Sequence, residues 1–292
     1  MTDLLLAIES SPLAWIAVFT VFGLLVGSFL NVVIFRLPVI LEREWKQQAR
    51  EILELDVDET QAEAFNLVVP RSRCRRCHTL IRAWHNIPVL SYLLLRGRCA
   101  NCAERISPRY PMIELLTGVL TGFLAWKFGA GWELTGAILF AWALIALTFI
   151  DFDHQLLPDD ITLGLVWLGL LFSLGDVFVT PPDAIIGAIA GYASLWLVFH
   201  AFRLLTGKEG MGYGDFKLFA ALGAWLGWQL LPLVILLSSA TGAILGGALI
   251  VLRGRDRAQP IPFGPFLAIA GLIAFLWGDA ILGWYMGLYR QP

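Results

Sequence analysis

Apolar runs of spanning length recur along this chain, separated by short polar breaks. They cover roughly residues 13–35, 111–128, 132–150, 161–179, 184–205, 216–228, 230–252 and 263–288. A run of about 20 apolar residues is what a helix needs to cross the hydrocarbon layer of a bilayer. The sixth run is short, and its boundary with the seventh rests mainly on Pro232. The pattern predicts an all-α polytopic membrane protein of about eight transmembrane helices.

Composition agrees. Only 15% of the 292 residues are charged, against roughly 25% in soluble domains. A soluble enzyme with a large core is excluded, and a net charge of −2 offers nothing to nucleic acid. The N-terminal stretch carries Asp3 and Glu9 but no basic residue. It therefore reads as a retained helix, since a cleaved signal peptide wants a basic start.

The position of the basic residues says more than their number. Thirteen of the 21 Lys and Arg lie between Arg36 and Arg109. The segment from Arg203 to Lys217, around the break between the fifth and sixth runs, holds Arg203, Lys208 and Lys217, and Arg253, Arg255 and Arg257 follow the seventh run. With eight spans, all but Lys127 and Arg290 fall on one side. The positive-inside rule makes that side cytoplasmic and puts both termini in the periplasm. Three segments result: a first transmembrane helix over 1–35, a cytoplasmic insert over 36–110 and a transmembrane core over 111–292. The insert opens on LEREWKQQAREILEL, where Leu41, Trp45 and Ile52 share a face and Glu42 stands four before Lys46. That is the pattern of a surface or interfacial helix.

Two carboxylates stand where apolar runs meet the same membrane edge. Asp151 ends the third run, and Asp215 opens the sixth within MGYGDFKL. By the topology above both face the cytoplasm, so adjacent helices would bring them together. Two carboxylates at close range cannot both ionise cheaply, so they share a proton and titrate as a pair. The ionised member takes a proton from water while its neighbour donates to a carbonyl oxygen. That is the chemistry of an aspartic protease. Gly212 and Gly214 lack a β-carbon and would let a substrate backbone approach. A plainer reading of Asp215 is a helix cap. Asp153 rivals Asp151, and Asp159 or Asp160 is expected to cap the fourth helix.

All four cysteines lie in the insert, as CRRC at 74–77 and CANC at 99–102. Cys74, Cys77, Cys99 and Cys102 offer four thiolates to one ion, which fits a structural zinc. Reducing conditions in the cytoplasm disfavour two disulfides. Four thiolates leave no open position for water, so the zinc would not hydrolyse peptide.

The segments GMGYGDFKL at 210–218 and IDFDHQLLPD at 150–159 resemble the type IV prepilin leader peptidases, bacterial membrane aspartic proteases. The likeness extends to GSFLNVVI at 27–34, RYPMIEL at 109–115 and PIPFGPF at 260–266. The Gly-x-Gly-Asp element is similar to that of intramembrane aspartic proteases generally. The resemblance implies catalysis by Asp151 and Asp215 at the bacterial inner membrane on prepilins and type II secretion pseudopilins. It also implies N-methylation of the new N-terminus from S-adenosylmethionine, for which composition and spacing contain no fingerprint. On this reading Asp153, in a loop with four Asp and no Lys or Arg, would attract a basic leader.

Other chemistries fit less well. There is no His-Glu-x-x-His pair and no Gly-x-Ser-x-Gly elbow, and the four histidines are scattered. The alternative is a transporter or channel that uses its intramembrane carboxylates as a relay. It lacks paired interrupted spans of an inverted repeat.

Overall fold

The computed structural model describes residues 11–55, 65–253 and 262–289. Asp3, Glu9, Arg255, Arg257, Arg290 and the first two residues of the 260–266 segment, which entered the topology and motif readings, lie outside these. Eight long helices follow the eight apolar runs: α1 (Pro12–Ile52), α3 (Arg109–Phe128), α4 (Trp132–His154), α5 (Asp159–Ser173), α6 (Pro181–Thr206), α7 (Tyr213–Leu226), α8 (Leu231–Arg253) and α9 (Gly264–Tyr289). A short helix, α2 (Leu90–Leu94), lies in the insert. Among the described residues, five stretches are long and apolar enough to cross a membrane: Pro12–Ile52, Trp132–His154, Pro181–Thr206, Trp228–Leu245 and Gly264–Gly287. Helices α5 and α7, of 15 and 14 residues, are shorter than the roughly 20 residues a span requires.

The first helix does not stop at Phe35. It is 41 residues long in all, passing through Pro38 and taking in the predicted surface helix. Glu42 and Lys46 form the expected pair at 2.6 Å, and Trp45 and Ile52 are exposed. A proline inside a helix forgoes one backbone bond. Here the turn before it is anchored instead by Arg36, whose guanidinium donates to the carbonyls of Asn66 and Pro70 at 2.9 and 2.6 Å.

The chain forms two compact units, Met1–Ile138 and Leu139–Pro292, with the boundary inside α4. In the first, α1 packs on α3 through small residues. A β-carbon added at Gly27 would lie 2.7 Å from the Glu114 Cα, and one at Gly23 would lie 2.6 Å from Thr121. One turn beyond Gly27, Asn31 donates to the Tyr110 carbonyl at 3.1 Å. Buried Glu114 accepts the Val89 N–H at 2.7 Å. The segments 27–34 and 109–115 are therefore packing partners. In lipid, where apolar side chains gain nothing by leaving solvent, such close small-residue crossings are what hold helices together.

In the second unit the core gathers Phe140, Phe172, Phe178, Trp225 and Phe275, with neighbouring ring centroids 4.8 to 6.4 Å apart. The Trp225 indole donates to the Leu165 carbonyl at 2.8 Å, so the buried ring leaves no polar atom unmatched. Helix α7 crosses α6 almost backbone to backbone. A β-carbon on Gly223 would sit 2.0 Å from the Gly187 oxygen, and one on Gly187 would sit 2.2 Å from the Gly223 oxygen. Rigid backbone cannot give way as a side-chain end can. Gly223→Ala should therefore cost on the order of 3 kcal/mol, the upper end for overpacking. The check is a lowered melting temperature in detergent, and an unchanged melt would mean the two helices can separate freely.

Candidate active site and four-cysteine centre

Asp151 lies in the last turn of α4 and is 6% exposed; Asp215 lies in the first turn of α7 and is 7% exposed. Each serves a helix start. The Asp151 Oδ2 accepts the N–H of Gly264, the residue that opens α9, at 3.0 Å. The Asp215 Oδ2 accepts the N–H of Gly212, the residue before α7, at 3.3 Å. Helix starts present unsatisfied N–H groups and a partial positive charge, which hold a carboxylate where burial alone would reject one. The plain reading of Asp215 as a cap is thus realised by one oxygen only. Its Oδ1 is buried with no hydrogen-bond partner, one of two such side-chain atoms among the described residues.

Leu157 wedges the two carboxylate-bearing segments together. Its side chain is buried and meets both glycine positions. A β-carbon at Gly214 would lie 2.8 Å from the Leu157 Cβ, and one at Gly264 would lie 3.2 Å from its Cδ1 and 2.6 Å from the Asp151 Oδ2. Asp215 follows Gly214 in the chain, so Leu157 touches both the segment that carries Asp215 and the residue that holds Asp151. Two residues 64 positions apart are in this way gathered about one leucine.

Gly212 is exposed, and a β-carbon there would meet nothing closer than 3.9 Å. Gly214 is half-buried beneath Leu157, so its close approach is to the protein itself. Asp153 is exposed, on the helix that carries Asp151. Neither Asp159 nor Asp160 caps α5: Pro158 holds the cap position and no side chain bonds there. Asp159 instead grips Lys217, two residues past Asp215, with both oxygens at 2.6 and 2.7 Å. A basic partner outcompetes a local N–H because a charged bond is the stronger one.

Sequence reasoning missed two contributors. Gly264 was visible only as part of the PIPFGPF segment, which carried no assigned role. Leu157 had no signal, since a leucine in an apolar protein announces nothing.

In the insert, the two Cys-x-x-Cys segments adopt one backbone design. The N–H of Cys74 donates to the Thr79 carbonyl and that of His78 to Cys74; Cys99 with Glu104, and Ala103 with Cys99, repeat the arrangement. His78 and Ala103 both turn with positive φ, at 54° and 58°. Isolated antiparallel bridges, Arg73 with Leu80 and Arg98 with Arg105, close the two knuckles. The knuckles face each other: Cys74 and Cys102 sulfurs are 3.8 Å apart, and those of Cys77 and Cys99 are 4.0 Å apart. All four ligand atoms lie within 4.8 Å of one another. Asn101 bonds to Thr79 across the gap at 3.0 Å, and Arg76 pairs with Glu104.

Charge is already being tuned there. The Thr79 hydroxyl, helped by its backbone N–H, draws the Cys77 thiol down to about 5. Cys102, against the pull of the Glu104 N–H, is pushed up to about 12 by burial and by the other three sulfurs. Four thiols this close cannot all ionise unless a cation joins them. The donor set is one that a tetrahedral, thiolate-seeking ion would take.

Comparison with known proteins follows the same division. Residues 21–128 match the bacterial peptidase A24 N-terminal domain, which takes in the cysteines. Residues 138–247 match the type IV leader peptidase family, which takes in both aspartates. A prepilin leader peptidase/N-methyltransferase of Stutzerimonas stutzeri is 53% identical over 283 residues, 97% of this chain and 98% of its own. Its counterpart in Aeromonas salmonicida strain A449 is 55% identical over 287 residues, 98% and 99% of the two chains. That of Neisseria gonorrhoeae is 51% identical over 279 residues, 94% and 96%. No solved structure matches.

Proposed function

The chain belongs to the type IV leader peptidase family, and from that premise we propose that it cleaves the leader from prepilins and pseudopilins with Asp151 and Asp215, then methylates the new N-terminal amine. The observation that carries the hydrolytic half is the gathering of two buried carboxylates about Leu157. Each is anchored through one oxygen to a helix start, and Asp215 keeps Oδ1 unengaged. Anchoring fixes the carboxylates, and the free oxygen has no hydrogen-bond partner among the described residues. The pair shares one proton; its ionised member draws a proton from water as the water attacks the peptide carbonyl, and its protonated member donates to the carbonyl oxygen. The relatives offer no support to a transporter or channel.

All eight long helices enter the bilayer of the bacterial inner membrane on this reading, with the insert and dyad on the cytoplasmic side and both termini periplasmic. Helix α7, of 14 residues, rises only about 21 Å at about 1.5 Å per residue, less than the roughly 30 Å hydrocarbon layer. On this reading Asp215 lies near the membrane edge, where a prepilin's basic leader gives way to its hydrophobic helix. Gly212, open to its surroundings, and Gly214, two residues on, would line the path of a substrate strand. Exposed Asp153 is positioned to draw the basic leader. Lipid surrounds the rest, and nucleic acid has no part.

Zinc is the ion the four cysteines fit. Cys74, Cys77, Cys99 and Cys102 would hold it, and when bound it supplies folding energy with no open position for chemistry. The methyl donor is different. The insert has a cavity of about 550 Å³ walled by Tyr92, Arg96, Arg98 and Arg105 among others. Three guanidinium groups suit an anion, whereas S-adenosylmethionine carries a sulfonium and net positive charge. No donor site is therefore assigned to it.

The test is incubation of the purified protein with a prepilin and S-adenosylmethionine. Leader release seen on a gel and a methyl group seen by mass on the new N-terminus are expected. An intact prepilin after long incubation with active lipid present would sink the proposal.

A further inference from the structure

Helix α7 is tied to the segment that follows Asp151 at two points. One is apolar: Leu157 is buried, and a β-carbon at Gly214 would lie 2.8 Å from its own. The other is charged. Lys217 donates to both carboxylate oxygens of Asp159, at 2.6 and 2.7 Å. Lys217 stands two residues past Asp215 on α7, and Asp159 stands two past Leu157 at the start of α5. Between α4 and α5 the chain has no regular structure over residues 155–158, and Gln155 turns with a φ of 51°. A segment without a hydrogen-bond ladder of its own keeps its place through such ties.

The charged tie is partly open to its surroundings, with the Lys217 and Asp159 side chains 27% and 56% exposed. A pair this exposed adds little to folding, so its effect is on position. We propose that Asp159 and Lys217 are positioning residues: their ion pair clamps residues 155–159 on α7 and keeps Leu157 seated against Gly214 and Gly264, which fixes Asp151 and Asp215 relative to one another. This rests on the reading of Asp151 and Asp215 as a peptidase pair. The route is short. A β-carbon at Gly264 would lie 3.2 Å from Leu157, and the Gly264 N–H holds Asp151 at 3.0 Å. Proton transfer works only across hydrogen-bond distances, and a misplacement of about 1 Å costs about a hundredfold in rate. Lys217 and Asp159 need not touch the substrate for their loss to be felt in kcat.

The experiment compares leader cleavage by Lys217→Met, Asp159→Asn, the two combined, Lys217→Arg, and the swapped pair Asp159→Lys with Lys217→Asp. Each single loss should lower kcat by about ten- to a hundredfold. KM should stay within about twofold of the native value, since the substrate's own contacts are kept. The combined variant should do no worse than either single one, because one clamp is broken in all three. Lys217→Arg should stay near native. The swapped pair should recover most of the lost kcat, since it remakes the bond with the charges exchanged. Melts in detergent should move by no more than about 4 °C, as expected of an exposed pair. Native kcat in either single variant would overturn the clamp. So would losses that multiply in the combined variant, or a swapped pair that recovers nothing, which is what two separate roles give. A raised KM at unchanged kcat would overturn it in favour of leader binding by Asp159, and a larger fall in the melt would make the pair a plain structural tie. If the native protein leaves the prepilin intact, the peptidase reading fails first and the clamp with it.

Discussion

Asp215→Asn should reduce leader cleavage by roughly a thousandfold or more, since a positioned acid or base supplies about 10²–10⁴ in rate and the pair cannot share a proton once one member is an amide. Asparagine is close in shape, and its carbonyl oxygen can still accept the Gly212 N–H that Asp215 accepts at 3.3 Å. The cap is therefore kept and the fold with it, and the melt in detergent should shift by no more than about 1 kcal/mol of stability. Asp151→Asn should behave alike, because the amide can accept from Gly264 as the carboxylate does at 3.0 Å. Methyl transfer to a substrate supplied already cleaved should persist in both. That separation distinguishes a lost acid–base pair from a damaged protein. Near-native cleavage by either variant would remove that aspartate from the mechanism.

The second large effect concerns the insert. Between residues 65 and 108, only Pro88 and Gly97 are buried. A segment with so little apolar core cannot hold itself together by burial, and a handful of knuckle hydrogen bonds contributes only about 1 kcal/mol each. A structural zinc contributes about 10–16 kcal/mol in comparable small sites. Elemental analysis should find one zinc per chain, and Cys99→Ser should lose it. Protease sites between Cys74 and Cys102 should then open, while the helices of the second unit stay resistant. The same result should follow from a strong chelator in the native protein. Metal-free protein whose insert resists proteolysis as before would show that something other than the four thiolates holds the knuckles.

Much of this molecule was legible beforehand because its solvent imposes rules. A bilayer rejects unpaired backbone groups, so apolar runs must be helices, and all eight long helices lie where those runs do. The paired Cys-x-x-Cys segments were equally plain, since a thiolate site needs both hairpins and little else. The helix boundaries were less so: α1, expected to end at residue 35, passes on through Pro38, and the neighbouring Arg36 finds carbonyls 30 and 34 residues away. Asp159 was expected to cap and pairs with Lys217 instead, a partner 58 residues distant.

The sequence by itself settled what kind of material this is: an all-helical, strongly apolar chain with carboxylates at helix ends and four thiols in one polar insert. These follow from local composition and short spacings, which a one-dimensional pattern carries in full. Only the tertiary structure decided that Gly264 holds Asp151, that Leu157 draws the two aspartate segments together, and that Gly187 and Gly223 let α6 and α7 touch. Those facts are contacts between residues far apart in the chain, and a leucine or glycine has no side-chain chemistry by which to declare its partner in advance.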